Sequence, residues 1–488
     1  MFLGKIADVY AQNGHEVVVF EPDMVGPDPV LNVSSSRHAR VFRRPKDFEQ
    51  PHPFAEIQAN TWTMETDDSL KAFQAMIACS KAFALSCESV LNDEKLLTDL
   101  RAEKFDIAVA EYLTVCPYAL YRKLGIKKYI TASATPVGSQ IGAYLGLPTS
   151  FSYVPEFFRV PPIKMSFWDR LENLFGAKLA EFFFFRFFIA DVLRVVERHY
   201  PDFHYESALA ESSYLFINSN EFLDYPKPTS QKVINLAGLG LAQPKPLDED
   251  YRRLLDSALG GVVLVSFGTI AQSANMPPEI LSAFLQTFAA FPHLTFVWKF
   301  ENTTNDVAAN LTNVHLRSWL PQLDLLADPR VVGFITHGGI NSVTESIVHG
   351  TPLLRNCKML EERKLGVPLS KPQLSTADAL IAALKTIVED KTYLARAREM
   401  SEMFATAPMT PEEKVLKYTA QATRFDVASL LDLHGRHQTF IEFYNLDILG
   451  SLLLLSMVLF CASFMILRLS ARFLLRLCAG SGSKTKAE

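Results

Sequence analysis

Two short runs carry side chains of the kinds that grip an anion. The apolar run Val262 to Phe267 (VVLVSF) leads into a turn bearing Ser266, Gly268 and Thr269, and the run Val331 to His337 (VVGFITH) leads into THGGINSVTES. Gly338 and Gly339 remove side-chain bulk, while Asn341 and Ser342 open a helix. Small residues let backbone amides approach closely, and a helix amino end adds partial positive charge, so a diphosphate fits such turns. A strand, two glycines and a helix can equally be plain packing, so the weight rests on the longer run from Trp319 to Leu354, WLPQLDLLADPRVVGFITHGGINSVTESIVHGTPLL. That run adds a flat ring at Trp319, an amide at Gln322, an imidazole at His337 and a carboxylate at Glu345.

These groups can act together only if strands deliver them to one edge. Val262 to Phe267, Leu294 to Phe300 (LTFVWKF), Val314 to Arg317 and Val331 to His337 alternate with helical stretches such as Pro278 to Ala290. Apolar strands separated by helices predict a parallel sheet buried on both faces, with ligands beyond the carboxyl ends of its strands. The first half mixes strands such as Asp106 to Ala110 and Leu215 to Asn218 with long helical stretches, which predicts a second open α/β sheet. At the start, Phe2, Leu3, Ile6, Val9 and Tyr10 trace one helical face, Gly14 supplies a cap, and HEVVVFEP reads as the next strand. Such a helix normally follows a parallel partner strand, so a leader and a first strand are expected to be absent from residues 1–488. The Phe-dense stretch Met165 to Tyr200, broken at Arg186, reads first as a pair of core helices; an acceptor-pocket lining or a membrane-surface contact are the alternatives. Asp224 to Asp250 is rich in proline and reads as a domain connection. The expected organisation is an α/β domain over 1–235, a linker over 236–260, a second α/β domain over 261–440, a membrane span over 448–467 and a basic tail over 468–488.

The Trp319 to Leu354 run resembles the nucleotide-sugar signature of the UDP-glycosyltransferase family, which includes the animal UDP-glucuronosyltransferases. Order, identity and spacing agree over the run, and the resemblance continues through SFGT upstream and an apolar span with a basic tail downstream. It implies an α/β GT-B fold: two facing Rossmann-like domains, the first holding an acceptor and the second a UDP-sugar, plus a C-terminal transmembrane helix. It further implies that Trp319 stacks on uracil, Gln322 bonds the nucleoside and Glu345 accepts from the ribose hydroxyls. His337, Gly339, Asn341, Ser342, Ser266 and Thr269 would hold the diphosphate. Those residue types suit the parts: a uracil has a π-face, ribose offers two donors, and a diphosphate wants amides and neutral donors. The implied reaction moves glucuronic acid or another hexose from UDP-sugar to a hydroxyl of a lipophilic small molecule, with inversion. No metal or cofactor is implied, the UDP-sugar being a co-substrate.

Two departures from the family are visible. After HGTPLL the family has a loop with an acidic residue followed by Gln that contacts the sugar hydroxyls, whereas this chain passes directly into RNCKMLEERKLG. Thr351 to Leu354 therefore meets a helix capped by Asn356 almost without a loop. The family also uses a His just beyond its first strand, oriented by an acidic partner, to deprotonate the acceptor. That His would precede Phe2; His15, in a turn before a later strand, is no substitute, and the acidic partner corresponds to Glu111. As a plain residue, Glu111 is a loop carboxylate or a poor base. A catalytically impaired UDP-binding or partner-binding isoform and a lipid or glycan-precursor transferase stand as alternative readings.

Composition sets the outer bounds. The chain has 488 residues, too many for one ordinary core, with a formal net charge of -5 and dispersed Lys and Arg, which argues against nucleic acid as a partner. Cys79, Cys87, Cys116, Cys357, Cys461 and Cys478 form no CxxC pair and lack His at zinc spacing, so neither a metal site nor a disulfide framework is expected; Cys79 and Cys87 read as packed thiols. Ile448 to Leu467 is uncharged and long enough to cross a bilayer, with Arg468, Arg472, Arg476, Lys484 and Lys486 after it. Basic residues prefer the cytosolic side, so the reading is a single-pass membrane protein with a lumenal or extracellular body and a cytosolic tail; with the resemblance this implies the endoplasmic reticulum. The sequence leaves a homo-oligomer open. Asn32-Val33-Ser34, Asn302-Thr303-Thr304 and Asn310-Leu311-Thr312 are acceptor patterns for N-linked glycan.

Overall fold

The computed structural model describes residues 2–24, 35–49, 61–62, 69–156, 164–269, 271–304, 307–354 and 358–481. By contacts the chain divides into one unit of Met1–Tyr144 with Pro148–Asp432 and another of Leu145–Leu147 with Leu433–Glu488.

Within the first unit, α1 (Phe2–Gln12) buries Phe2, Ile6, Val9 and Tyr10, the face read from the sequence, while Leu3 is only half-buried. It leads to β1 (Val18–Pro22), which pairs in parallel with β2 (Arg40–Arg44). A separate parallel sheet of β3 (Ala108–Glu111), β4 (Tyr129–Ser133), β5 (Leu215–Ile217) and β6 (Val233–Asn235) follows in that order. Between them run α2 (Ser69–Asn92) and α3 (Cys116–Leu124). Cys87 of α2 and Cys116 of α3 form a disulfide, with Cα atoms 5.6 Å apart. This corrects the expectation of a packed thiol at Cys87: the two helices pack side by side, which brings together cysteines that share no local motif. Cys79 is a buried thiol, its pKa pushed up to about 11 by burial.

The Phe-dense stretch also departs from its first reading. It forms α4 (Phe167–Phe183), and a π-helical turn over Phe184–Phe188 carries the chain past Arg186 instead of breaking it. Of α4 only Asn173 and Ala177 are buried, so it is no core helix, whereas the helix Ala190–His199 that follows buries Val192, Val195 and Val196 as expected.

Residues 236–260 are not all connection. Asp248 caps α5 (Glu249–Ser257), accepting from the Tyr251 N–H at 2.9 Å, and Tyr251, Leu254 and Leu255 pack into the second core. That core surrounds a continuous parallel sheet ordered β12-β11-β10-β7-β8-β9. Its strands are β7 (Val262–Ser266), β8 (Thr295–Lys299), β9 (Val314–Arg317), β10 (Val331–Thr336), β11 (Leu353–Leu354) and β12 (Gly366–Val367). Because strand side chains alternate, Val263 and Val265 join one hydrophobic cluster and Val262 and Leu264 the other, so both faces are covered. One face is closed by α6 (Pro278–Ala290), through Phe284 and Phe288. The site elements α7 (Gln322–Leu326) and α8 (Ile340–Val348) lie before and after β10.

The chain then crosses back. In α9 (Pro411–Arg424), Val415 and Ala422 pack with Phe2, Ile6, Ile130 and Phe216 against the first core, and Tyr10 Oη lies 2.6 Å from Thr419 Oγ1. The expected 261–440 domain therefore gives up this helix to the first half. Trp62 crosses the other way, donating to the Gln272 carbonyl at 2.8 Å inside the second core.

In the second unit, α10 (Leu446–Ser481) exposes its apolar side chains along its length, and Leu446–Leu477, which contains an 18-residue window of mean hydropathy 2.4, is long and apolar enough to cross a membrane. It runs past the expected end at Leu467, because Arg468, Arg472 and Arg476 are good helix formers spaced four apart on one face. The junction from Leu354 to Arg355 and the pattern at Asn32 lie outside the described residues.

Candidate functional site

The carboxyl ends of β7 and β10 lie side by side, Ser266 paired with Thr336. Beyond β10, Gly338 adopts φ +85°, a left-handed turn open to glycine at little cost, and its N–H donates to Thr336 Oγ1 at 3.3 Å. The His337 ring sits against both strand ends: a Cβ on Gly339 would come 2.6 Å from its Nε2, and one on Gly268 would come 2.9 Å from its Cε1. Alanine at Gly339 would thus push the imidazole aside. Gly339 stands at the start of α8 without a side-chain cap, so the first N–H groups of that helix, those of Asn341 and Ser342 among them, point back toward the turn of His337 and Gly338.

One turn further along, Gln322 Nε2 donates to Glu345 Oε2 at 2.7 Å and to Ser342 Oγ at 3.2 Å. This joins the amino end of α7 to α8. Burial raises the Glu345 pKa, opposed by the Gln322 hydrogen bond and by the charge of Lys5 on α1. Lys5 in turn is lowered by burial, opposed by Glu345 and Glu412. Trp319 is 70% exposed despite its size, its carbonyl accepting from Tyr251 Oη at 3.3 Å. A ring displayed in this way offers a face to a flat ligand rather than filling a core.

The structure therefore brings Trp319, Gln322, Ser342 and Glu345 together, and His337, Gly339, Asn341 and Ser342 around the start of α8. Thr269 is exposed beyond β7, whereas Ser266 is buried within the strand end. Three contributors escaped the sequence reading. Lys299, buried at the end of β8, donates to the Gly268 carbonyl at 2.6 Å and to Glu301 at 3.2 Å, and its Nζ lies 5.8 Å from the centre of the Trp319 ring. A lysine closing an apolar strand was the available signal. Asn218, just after β5, donates to Asn341 Oδ1 at 3.0 Å and to the Ala134 carbonyl at 3.1 Å, which ties the two sheets together at their carboxyl ends. Lys5 had no signal, because only the tertiary fold sets α1 against α8.

Glu111 stands at the carboxyl end of β3. The Ala134 N–H donates to its Oε2 at 3.0 Å. Burial outweighs the bonds from the Ala134 and Tyr112 N–H groups and pushes its pKa up to about 7. Its carboxylate shares the lining of one open cavity, about 2640 Å³, with Lys5, Gly240, Thr269, Trp319 and Glu345. A half-buried carboxyl on one side and an exposed aromatic with a second carboxyl on the other can hold a two-part ligand.

Comparison with known proteins agrees with this layout. The family model for UDP-glucoronosyl and UDP-glucosyl transferase matches residues 1–485. A Caenorhabditis elegans protein assigned to the UDP-glucuronosyltransferases, ugt-48, is 30% identical over 481 residues, covering 91% of this chain and 88% of its own. UDP-glucuronosyltransferase 3A2 of Homo sapiens is 27% identical over 481 residues, covering 93% and 87%. Among solved structures, the glycotransferase of kitacinnamycin superposes with TM-score 0.57 at 16% identity, covering 86% of this chain and 94% of its own. UGT2 of Phytolacca americana, complexed with UDP-2-fluoro-glucose and pterostilbene, gives TM-score 0.54 at 16% identity, covering 87% and 96%. At that identity the likeness shows the fold alone, which is GT-B.

Proposed function

Because this chain belongs to the family of UDP-glucuronosyl and UDP-glucosyl transferases, we propose that its cavity joins a UDP-sugar held at the second sheet to a lipophilic acceptor held at the first. The transferred sugar is glucuronic acid or another hexose. Trp319 stacks on uracil, Gln322 bonds the nucleoside, and Glu345 exchanges its bond from Gln322 for bonds from the ribose hydroxyls. The diphosphate rests on the turn of His337, Gly339, Asn341 and Ser342 with Thr269, where amides and neutral donors meet a helix amino end. Ser266, being buried, supports the turn through its backbone.

At the first sheet, Glu111 takes the proton from the acceptor hydroxyl. The oxygen then attacks the anomeric carbon, the bond from that carbon to the diphosphate oxygen breaks, and UDP leaves with inversion. A pKa near 7 suits a base working near neutral pH. The observation that carries the reading is the cavity wall shared by Glu111 with Trp319 and Glu345. UDP release is the assay, run with UDP-glucuronate and UDP-glucose against phenols and lipophilic alcohols. Acceptor-dependent release, reduced on the order of a hundredfold or more in Glu111→Gln, supports the reading. Tight UDP binding without turnover would favour a silent UDP-binding protein, and turnover confined to lipid-linked acceptors would favour a precursor transferase.

We also read α10 as the membrane anchor, with the body in the endoplasmic reticulum lumen and the basic end in the cytosol. The Cys87–Cys116 disulfide supports an oxidising side for the body, since such bonds are rare in the cytosol. A glycosidase-sensitive mass shift at the exposed Asn302 or Asn310 is expected; an unshifted mass together with reduced cysteines would place the body in the cytosol.

A further inference from the structure

The helix α4 turns the wrong face outward for a soluble protein. Its amino end is fixed by Ser166, which accepts from the Asp169 N–H at 3.2 Å while Asp169 accepts from the Ser166 N–H at 2.9 Å. Its inner face is held by Asn173, which donates to the Phe151 and Val154 carbonyls, both at 2.8 Å, and accepts from the Glu156 N–H at 3.0 Å. Ala177 is buried on the same side. At about 100° per residue, Trp168, Phe175, Leu179 and Phe182 fall within roughly 60° of one another, on the side opposite Asn173 and Ala177. They are 71%, 67%, 56% and 56% exposed. The helix is thus bolted down by its polar, small-residue face and displays its apolar face.

Water is a poor partner for a row of three aromatic rings and a leucine bordered by exposed Glu172, so something of matching chemistry should cover it. Two observations select lipid. Exposed Lys178 lies at the flank of the row and exposed Arg186 follows it, the pattern of an amphipathic helix lying in a bilayer interface, where Trp and Phe reach the acyl boundary and cations stay among headgroups. The same chain also carries α10, long and apolar enough to cross a membrane, so a bilayer is held at high effective concentration for the body.

We propose that the face of Trp168, Phe175, Leu179 and Phe182 docks in the interface of the bilayer that α10 crosses. This contact gives acceptors dissolved in lipid a short route to the body. Aromatic contacts run inward from the face, with Phe182 against Phe187 at 6.1 Å, and with Phe184 and Phe185 each 6.1 Å from Tyr205. Tyr205 Oη donates to the carbonyl of Tyr112, the neighbour of Glu111, at 2.6 Å.

The inference rests on α10 being the anchor, and the experiment separates the two. The full chain is placed in phosphatidylcholine–phosphatidylserine vesicles containing lipids brominated near the headgroup end of the acyl chain. The emission of Trp168 is taken as the difference between the unaltered chain and Trp168→Phe. An interfacial ring should lose roughly half of this emission or more, and Phe175→Ser with Leu179→Ser should reverse most of the loss. Unquenched Trp168 in vesicles that retain the chain through an alkaline wash would overturn the docking and leave the anchor standing. A chain stripped by that wash would overturn both. Quenching that the double variant leaves unchanged, or a blue shift in detergent that grows with protein concentration, would assign Trp168 elsewhere, the latter to a second copy of the chain, and would equally overturn the proposal.

Discussion

The strands β1 and β7 are built from similar residues, VVFEP and VVLVS, yet every residue of β7 is buried while every residue of β1 is half-buried. The difference lies in their neighbours. The strand β7 sits between β10 and β8 with helices on both faces, whereas among the described residues β1 pairs with β2 alone and β3 pairs with β4 alone. The open cavity runs along both β1 and β3. Burial of an apolar strand therefore depends on what flanks it as much as on its own composition. The second sheet is a closed scaffold displaying Trp319, Gln322 and Glu345 at its rim, while the first sheet borders the cavity along its own edges.

If that contrast is right, equal truncations should cost unequally. Phe288→Ala, in the closed half, removes a fully buried ring and should destabilise by about 3–5 kcal/mol, while Phe20→Ala on β1 should cost less than about 1 kcal/mol. Denaturant unfolding of the two variants measures this, and similar losses would break the comparison.

The next effect sharpens the contrast through pH. Glu111 has its pKa raised by burial from 4.5 to about 7. The folded protein thus holds that proton more tightly than the unfolded chain. The stabilisation is complete below the unfolded pKa and lost as pH rises through the folded one. Glu111→Gln, which needs no proton, should match the parent near pH 4.5 and exceed its stability at pH 8 by up to roughly 3 kcal/mol, taking about 1.4 kcal/mol per pKa unit. Melting scans at both pH values decide it; a variant less stable at pH 8 would show that the carboxylate is stabilised in the fold.

On the closed side, Trp319→Ala should weaken UDP binding by tenfold or more, a stacked base being worth about 1–3 kcal/mol, with little change in melting temperature because the ring is exposed. Calorimetric titration with UDP measures the first and a thermal scan the second.

The two halves were also unequally legible in the sequence. Apolar strands buried on both faces announce themselves, so β7, β8, β9 and β10 were found within a residue or so of their ends, and the Trp319 to Leu354 run located the turn that gathers the site. What escaped depends on distance along the chain. The Cys87–Cys116 bond, the return of α9 to the first core and the approach of Lys5 to Glu345 each join segments with no shared pattern. The helix α4 misled for another reason: periodicity reports an apolar face but not what covers it. The site was legible as residue types, and its geometry needed the fold.

The rim of the second sheet, not the edge of the first, is the proposed seat of the nucleotide. UDP carrying a photoreactive azide on its uracil ring tests this most directly, with the labelled peptide identified by mass spectrometry and excess UDP as competitor. Competed label is expected on the peptide containing Trp319 and Gln322. Competed label confined to residues 69–217, with none near Trp319, would contradict it.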